Sequence, residues 1–284
     1  MRLCRFCRSC EKIHFCRLSG EACFIIDVWW GENGRSNKLL NVSYLNGYIL
    51  LWTVYGLLGN ATCEFFINVM DMIDVCDQRY LVDMISSLRV VPVVVVDEVE
   101  LAQSLGEALV AGGLPIAEVT FRTDAAMGAM EVLASRGDIL VGAGTVTTVD
   151  QVKEARESGA KFVVSPGFHR EVVEYCLANE MLVLPGVSSA SDIALAMEYG
   201  LKNVKFFPAE ASGGVGLLKA LSAPYQSVKF VPTGGIHAGN VRDYLSLDSV
   251  LACGGSWMVE RSLVNDGKFE EIAKLTREVV ELVK

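Results

Sequence analysis

From Arg89 to its C-terminus the chain alternates short runs of β-branched residues with helical segments eight times, and this rhythm constrains the fold more than any other feature. Consecutive parallel strands need a crossover, so strand–helix alternation implies βα units and a parallel sheet. The predicted strands are Val90–Val96, Ile116–Phe121, Ile139–Gly142, Phe162–Ser165, Leu182–Pro185, Asn203–Phe207, Lys229–Thr233 and Val250–Ala252. Helices are predicted over Glu98–Ala111, with Leu101, Leu105 and Leu109 on one face, and over Val149–Ser158. Gly112, Gly159 and Gly200 fall where helices end, as a left-handed cap favours a residue without Cβ. Eight units fit a (β/α)₈ TIM barrel better than a doubly wound sheet, which more often has five or six strands.

A barrel carries its reactive groups at the C-terminal ends of its strands. Six of the eight predicted ends are small or polar, among them Gly142-Ala-Gly-Thr145, Ser165-Pro166-Gly167 and Pro185-Gly186. Side chains alternate across a strand, so Glu118, Thr120 and Arg122 share one face, as do Lys205 and Phe207. With those faces inward, a carboxylate, a guanidinium and an amine converge on one cavity. An amine set in Val-Lys205-Phe-Phe-Pro loses hydration, which favours its neutral, nucleophilic form, and nucleophilic amines make Schiff bases. The alternative is a lysine that snorkels or pairs with a carboxylate such as Glu118. Beside a lysine, Glu118 suits proton exchange; alone it is a counter-ion. Arg122 offers a planar fork for the carboxylate of a 2-oxo acid, or an ordinary surface pair with Asp124.

After the seventh and eighth predicted strands come Thr233-Gly234-Gly235 and Gly254-Gly255-Ser256, the latter expected at a helix start. Barrels frequently bind phosphate at this position through exposed backbone N–H groups. Glycines that only permit tight turns explain one such loop easily and two adjacent ones less well.

The formal charge of −9 argues against nucleic acid as a partner and confines any phosphate to a local pocket. Residues 1–69 differ in kind from the rest: they carry seven Lys/Arg against five Asp/Glu, whereas the remainder carries eighteen against twenty-nine. Seven of nine cysteines lie within the first 76 residues, so the larger part reads as reduced and cytoplasmic. The run Cys4, Cys7, Cys10 and Cys16 has the wrong last spacing for an iron–sulfur motif. Tyr44–Leu58 is apolar but interrupted by Asn46-Gly47 and too short for a membrane helix, so no membrane partner is expected. Neither helical nor alternating patterning persists through residues 1–60; they read as an extension upstream of a start at Met70 or Met72. With His14, His169 and His237 the only histidines and no ligand spacing, no metal is expected. No dinucleotide fingerprint is present and no cofactor is called for.

Taken in order, Val-Val-Pro-Val at 90–93, Glu118-Val-Thr-Phe-Arg122-Thr, Gly142-Ala-Gly-Thr145, Ser165-Pro166-Gly167, Lys205-Phe-Phe-Pro-Ala-Glu210, Pro232-Thr-Gly-Gly235 and Gly254-Gly-Ser-Trp257 resemble the 2-keto-3-deoxy-6-phosphogluconate (KDPG) aldolase family, which includes 4-hydroxy-2-oxoglutarate aldolases. The resemblance covers about residues 72–284. It implies a homotrimeric (β/α)₈ class I aldolase of the Entner–Doudoroff pathway. Its substrate would be a small phosphorylated 2-keto acid, cleaved reversibly to pyruvate and glyceraldehyde 3-phosphate. By that resemblance Lys205 is the Schiff-base lysine and Glu118 the general acid/base. Arg122 and Thr145 hold the carboxylate, Pro166 and Phe207 line the pocket, and Thr233, Gly234, Gly235, Gly255 and Ser256 take the phosphate. His237-Ala238 stands where relatives often carry Ser-Pro. A non-catalytic sugar-phosphate-binding barrel, an isomerase on such a barrel and an enzyme for the galactonate-derived epimer remain alternative readings of the same residues.

Overall fold

The computed structural model describes residues 14–18, 21–28, 38–45, 48–51 and 69–284, with side chains from residue 78. The cysteine run at Cys4, Cys7 and Cys10 lies outside the described residues. The chain divides into two units, Met1–Phe66 and Ile67–Lys284.

In the first unit His14–Leu18, Glu21–Val28, Lys38–Leu45 and Tyr48–Leu51 form an antiparallel meander in chain order. The sequence reading found no persistent strand pattern here, and the meander corrects it. Leu45 pairs with Tyr48, and between them stands Asn46-Gly47, a dipeptide that favours two-residue hairpins. As an interruption of an apolar run it argued against a membrane helix; it also separates two strands.

The second unit opens with the helix Val69–Leu88 and is otherwise a closed barrel. Its eight strands are Val90–Val94, Ile116–Thr120, Leu140–Gly144, Phe162–Val164, Leu182–Leu184 continued after Pro185 by Gly186–Val187, Asn203–Phe206, Lys229–Pro232 and Cys253–Gly255. Neighbouring strands pair in parallel and Cys253–Gly255 closes the ring onto Val90–Pro92, while the seventh and eighth strands are joined only by the isolated parallel bridges Phe230 to Val250 and Thr233 to Gly254. The last strand is a correction: it was expected at Val250–Ala252, where Val250 makes only an isolated bridge to Phe230. Small residues had concealed it. At Gly254 a Cβ would come within 2.3 Å of Thr233 Oγ1, so the neighbouring strand demands glycine where β propensity would ask for a branched residue.

Period-2 alternation divides the core. Val91, Ile116, Phe162, Val164, Leu182, Leu184 and Val231 pack together inside the ring with Leu81 and Ile85 of the opening helix, which plugs the lower end. Val90, Val94, Ala117, Val119, Val141, Ala143 and Val163 face the surrounding helices. A Cβ at Gly142 would fall 2.2 Å from the Phe162 ring, so that glycine gives Phe162 its space across the interior. Truncating Phe162 to alanine would cost about 3–5 kcal/mol.

Helix ends follow their local chemistry. Thr148 and Ser189 are capping boxes, with Gln151 and Asp192 closing the reciprocal bonds. The helix Ala102–Gly112 is capped by Gly113 at φ 91°, one residue beyond the expected Gly112. Gly112 answers a different need: a Cβ there would stand 2.4 Å from Thr276 Cβ in the C-terminal helix Phe269–Val283.

Candidate active site

Ile116 points into the ring, so strand alternation sends Glu118 and Thr120 inward at the upper end of the same strand. Val204 and Phe206 face outward, which turns Lys205 inward on the sixth strand. The two meet: Lys205 Nζ stands 3.3 Å from Glu118 Oε1, with the residues only 3% and 2% exposed. The lysine amine also lies 5.1 Å from the centroid of the Phe207 ring. A buried pair of this kind costs solvation on both sides, so it contributes little net stability as a pair, while removing one member is expensive. What it supplies is a protonatable amine and a proton acceptor in direct contact, shielded from bulk water.

Gly144 makes room for this contact. A Cβ there would fall 2.4 Å from Glu118 Oε1 and 2.7 Å from its Cγ. Thr120, paired with Gly144 across the strands, is tied by its hydroxyl to Val94 O at 2.9 Å.

Arg122 lies exposed just beyond the second strand, where its Nε donates to Thr145 Oγ1 at 3.2 Å. The two residues expected to hold a carboxylate are thus joined, and no ion pair between Arg122 and Asp124 exists among the described residues. Thr145 has φ 59°. A β-branched residue in the left-handed region is strained by roughly 1–3 kcal/mol, and such strain persists where surrounding structure imposes it, often at functional sites. A cavity of about 460 Å³ opens beside Arg122, lined by Asp124, Gln151 and Glu154 among others, but not by Lys205 or Glu118. Its carboxylates make it a poor seat for an anionic substrate.

Half-buried Pro166 follows the fourth strand, and its carbonyl would stand 2.2 Å from a Cβ on Gly186, so the loop after the fourth strand touches the fifth strand through that glycine. Next to Pro166 the buried Ser165 hydroxyl has no partner among the described residues.

The expected phosphate residues are brought together. Thr233 bridges to Gly254, and Gly234 and Gly235 follow with φ 99° and 79°, values that glycine adopts freely. Asn240 holds this turn, donating to Gly235 O at 3.0 Å and accepting from the His237 N–H at 2.8 Å. His237 Nδ1 accepts from Gly239 N–H at 3.0 Å, a bond that leaves Nε2 to carry the proton of the neutral ring. Two expectations change at the eighth strand. Gly255 lies within the strand, not in a loop, and a Cβ there would strike the Trp257 ring at 1.8 Å. Ser256 does not begin a helix; it opens a turn closed by Val259 N–H, and the next helix starts only at Arg261. Any anion held at Ser256 therefore gains hydroxyl and amide donors, not a helix terminus.

Sequence reasoning missed a second tie across the rim. Arg261 grips Asp97 with both arms, Nε at 2.7 Å and Nη2 at 2.5 Å, and Asn265 adds a third donor at 2.7 Å. Hydrogen bonds from Arg261 and Asn265 hold the Asp97 carboxyl down at about 2. This joins the loop after the first strand to the segment after the eighth. Its members are 164 residues apart, beyond any local pattern. Among the described residues no three His, Cys, Asp or Glu side chains gather as a metal site, and no helix is long and apolar enough to cross a membrane.

The family model for KDPG and KHG aldolase matches residues 81–275. The chain belongs to this aldolase family. The KHG/KDPG aldolase of Escherichia coli is 46% identical over 196 residues, spanning 69% of this chain and 92% of that protein. Among solved structures, the KDPG aldolase of Legionella pneumophila, with pyruvate captured as a covalent carbinolamine, shares 40% identity and a TM-score of 0.68, over 70% of this chain and 97% of that one. The Zymomonas mobilis KDPG aldolase with 3-phosphoglycerate shares 37% identity and a TM-score of 0.68, over 71% and 95%. Family membership makes the protein a lyase. All eight barrel strands fall inside the matched residues.

Proposed function

We infer that the protein cleaves 2-keto-3-deoxy-6-phosphogluconate reversibly to pyruvate and glyceraldehyde 3-phosphate through a Schiff base on Lys205. The observation that carries this reading is the buried contact of 3.3 Å between Lys205 Nζ and Glu118 Oε1. A protonated amine cannot attack a carbonyl, and Glu118 is the base within reach to take its proton. Neutral Lys205 adds to the C2 ketone to give a carbinolamine, whose loss of water leaves an iminium. The iminium draws the electron pair of the C3–C4 bond as that bond breaks. Glu118, directly or through one water, removes the C4 hydroxyl proton, and the aldehyde phosphate departs. A proton returned from Glu118 converts the enamine to the pyruvate iminium, and hydrolysis frees pyruvate and Lys205.

Arg122 with Thr145 takes the substrate carboxylate in this scheme, the fork suiting its two oxygens. Pro166 and Phe207 line the pocket between. Thr233, Gly234, Gly235, Gly255 and Ser256 take the phosphate, whose binding energy orients the distant reacting carbons. The name of the E. coli relative supports a second substrate, 4-hydroxy-2-oxoglutarate, cleaved to pyruvate and glyoxylate. The motif resemblance supports a homotrimer, to be checked by light scattering, and the scarcity of cysteines after residue 76 supports a cytoplasmic location.

Borohydride added with pyruvate is expected to leave a reduced adduct on Lys205; an adduct on another lysine, or none, overturns the assignment. Coupled detection of pyruvate from KDPG separates the aldolase from a binding-only barrel or an isomerase. EDTA is expected to leave the rate unchanged.

A further inference from the structure

Beyond the Lys205–Glu118 centre, a second carboxylate meets a buried partner that the chemistry above leaves unused. Glu210 belongs to the four-residue helix Ala209–Ser212, which follows the strand of Lys205. Its N–H donates to Gly234 O at 3.0 Å and that of Ala209 to Thr233 O at 2.8 Å, so this segment is stitched to the turn assigned to the phosphate. The Glu210 side chain lies against the same turn: a Cβ on Gly235 would come within 2.7 Å of both its Cβ and Cγ. At its far end Oε1 accepts a short hydrogen bond from the Tyr244 hydroxyl.

Tyr244, in the helix Val241–Leu245, is fully buried at 0% exposure, whereas Glu210 is exposed as a residue. Burial, and then the Glu210 carboxylate, push the phenol above its ordinary range, so it stays protonated and stays a donor. A buried tyrosine hydroxyl needs a partner, and one bonded to a carboxylate makes a stronger bond than one to a neutral acceptor. The site is nevertheless a strange one for an acid. A carboxylate beside a turn meant for a phosphate dianion repels its own ligand unless something fixes where the charge sits. Tethered to a buried phenol, Glu210 cannot swing toward an anion in the turn; released, it can.

We propose that Tyr244 and Glu210 form a positioning pair for the phosphate end of the substrate. The tyrosine holds the carboxylate still, and the carboxylate's stem sets the floor under Gly235, so the turn presents its amides before the ligand arrives. The pair thereby favours phosphorylated substrates without touching the reacting carbons. This rests on the reading that the phosphate binds at Gly234-Gly235.

The test measures KM and kcat for KDPG, inhibition by inorganic phosphate, and the rate of borohydride trapping with pyruvate, which has no phosphate. In Tyr244→Phe and in Glu210→Ala, KM for KDPG and the inhibition constant for phosphate are expected to rise about tenfold, the weight of one hydrogen bond to a charged group. Pyruvate trapping is expected to stay at the wild-type rate. Glu210→Gln keeps an acceptor for the phenol and loses the charge, so its KM is expected to remain within about threefold of wild type. A purely structural role would lower the melting temperature and leave the ratio of phosphate-dependent to pyruvate-dependent rates alone. An unchanged KM in both Y244F and E210A overturns the proposal, as does a parallel fall in trapping. Glu210→Ala, at an exposed residue, keeps the test open where the buried tyrosine variant folds poorly. Wild-type protein that neither traps pyruvate nor cleaves KDPG refutes the functional reading itself; wild type that does both beside indifferent variants refutes only this pair.

Discussion

Gly144→Ala is the smallest change that should disable this aldolase. The added methyl would lie 2.4 Å from Glu118 Oε1 and 2.7 Å from its Cγ, where ordinary contacts begin near 3.4 Å. The methyl is fixed to a strand, so the glutamate must retreat by about 1 Å, and a misplacement of that size can cost about 10²-fold in rate. That fall corresponds to about 2.7 kcal/mol of transition-state stabilisation. Overpacking adds a separate stability cost of about 1–3 kcal/mol, a drop of about 2–12 °C in Tm for a domain of this size. The assay is kcat for KDPG cleavage at 25 °C, with circular dichroism confirming that the variant remains folded. Gly216→Ala is the control: it stands in the helix Gly214–Ser222 with nothing within 4 Å of a new Cβ, so the rate should not change. A G144A enzyme that keeps more than about a third of its kcat refutes the claim that this glycine positions the base.

Lys205→Met should strand Glu118 in the barrel and cost about 3–5 kcal/mol, whereas adding Glu118→Leu removes both charges and restores most of that loss; equal urea stabilities for single and double variants would contradict this. Cys176 and Cys253 are held at about 12 by burial, so both should resist iodoacetamide at pH 8 until the protein is denatured, as peptide mapping can show. These raised values also set a direction: the stability they contribute is complete below the ordinary thiol value of 9.0 and is lost as pH rises toward 12. Asp97 works in the opposite sense, its carboxyl lying at about 2 against 3.8, so the tie to Arg261 is complete above pH 3.8 and is lost as pH falls through about 2. Carbon-13 NMR of the Asp97 carboxyl should show that midpoint, and one near 4 would mean the clamp is not formed in solution.

Much of the barrel was legible because its strands alternate simply. Ile116, Glu118 and Thr120 had to share a face, and Lys205 had to oppose Val204 and Phe206, so the central contact follows from period-2 patterning once the ring closes. The last strand was not legible for the opposite reason. Cys253-Gly254-Gly255 carries no branched residue, since Thr233 and Trp257 occupy the space its side chains would need. Gly112 and Gly113 were exchanged because adjacent glycines look alike to a capping rule, and only the approach of Thr276 distinguishes them. Nor could local patterning find Gly144 as the space beside Glu118, or Tyr244 as the partner of Glu210, a pair 34 positions apart. The antiparallel meander near the N-terminus escaped because Asn46-Gly47, which stands in sequence between two of its strands, was read only as a break in an apolar run.

Closure of the ring by Cys253–Gly255 against Val90–Pro92 has a consequence for how activity arises. Contacts between the two ends of a chain form late, because the intervening loop must first surrender its entropy. Glu118 and Lys205, 87 residues apart, come from different arcs of the same circle. An unclosed arc has a free edge on each side and no shared interior, so a nascent chain lacking its last strand should carry both residues and still be silent. Catalysis can therefore serve as a clock for folding: the first turnover during refolding marks the moment the circle shuts.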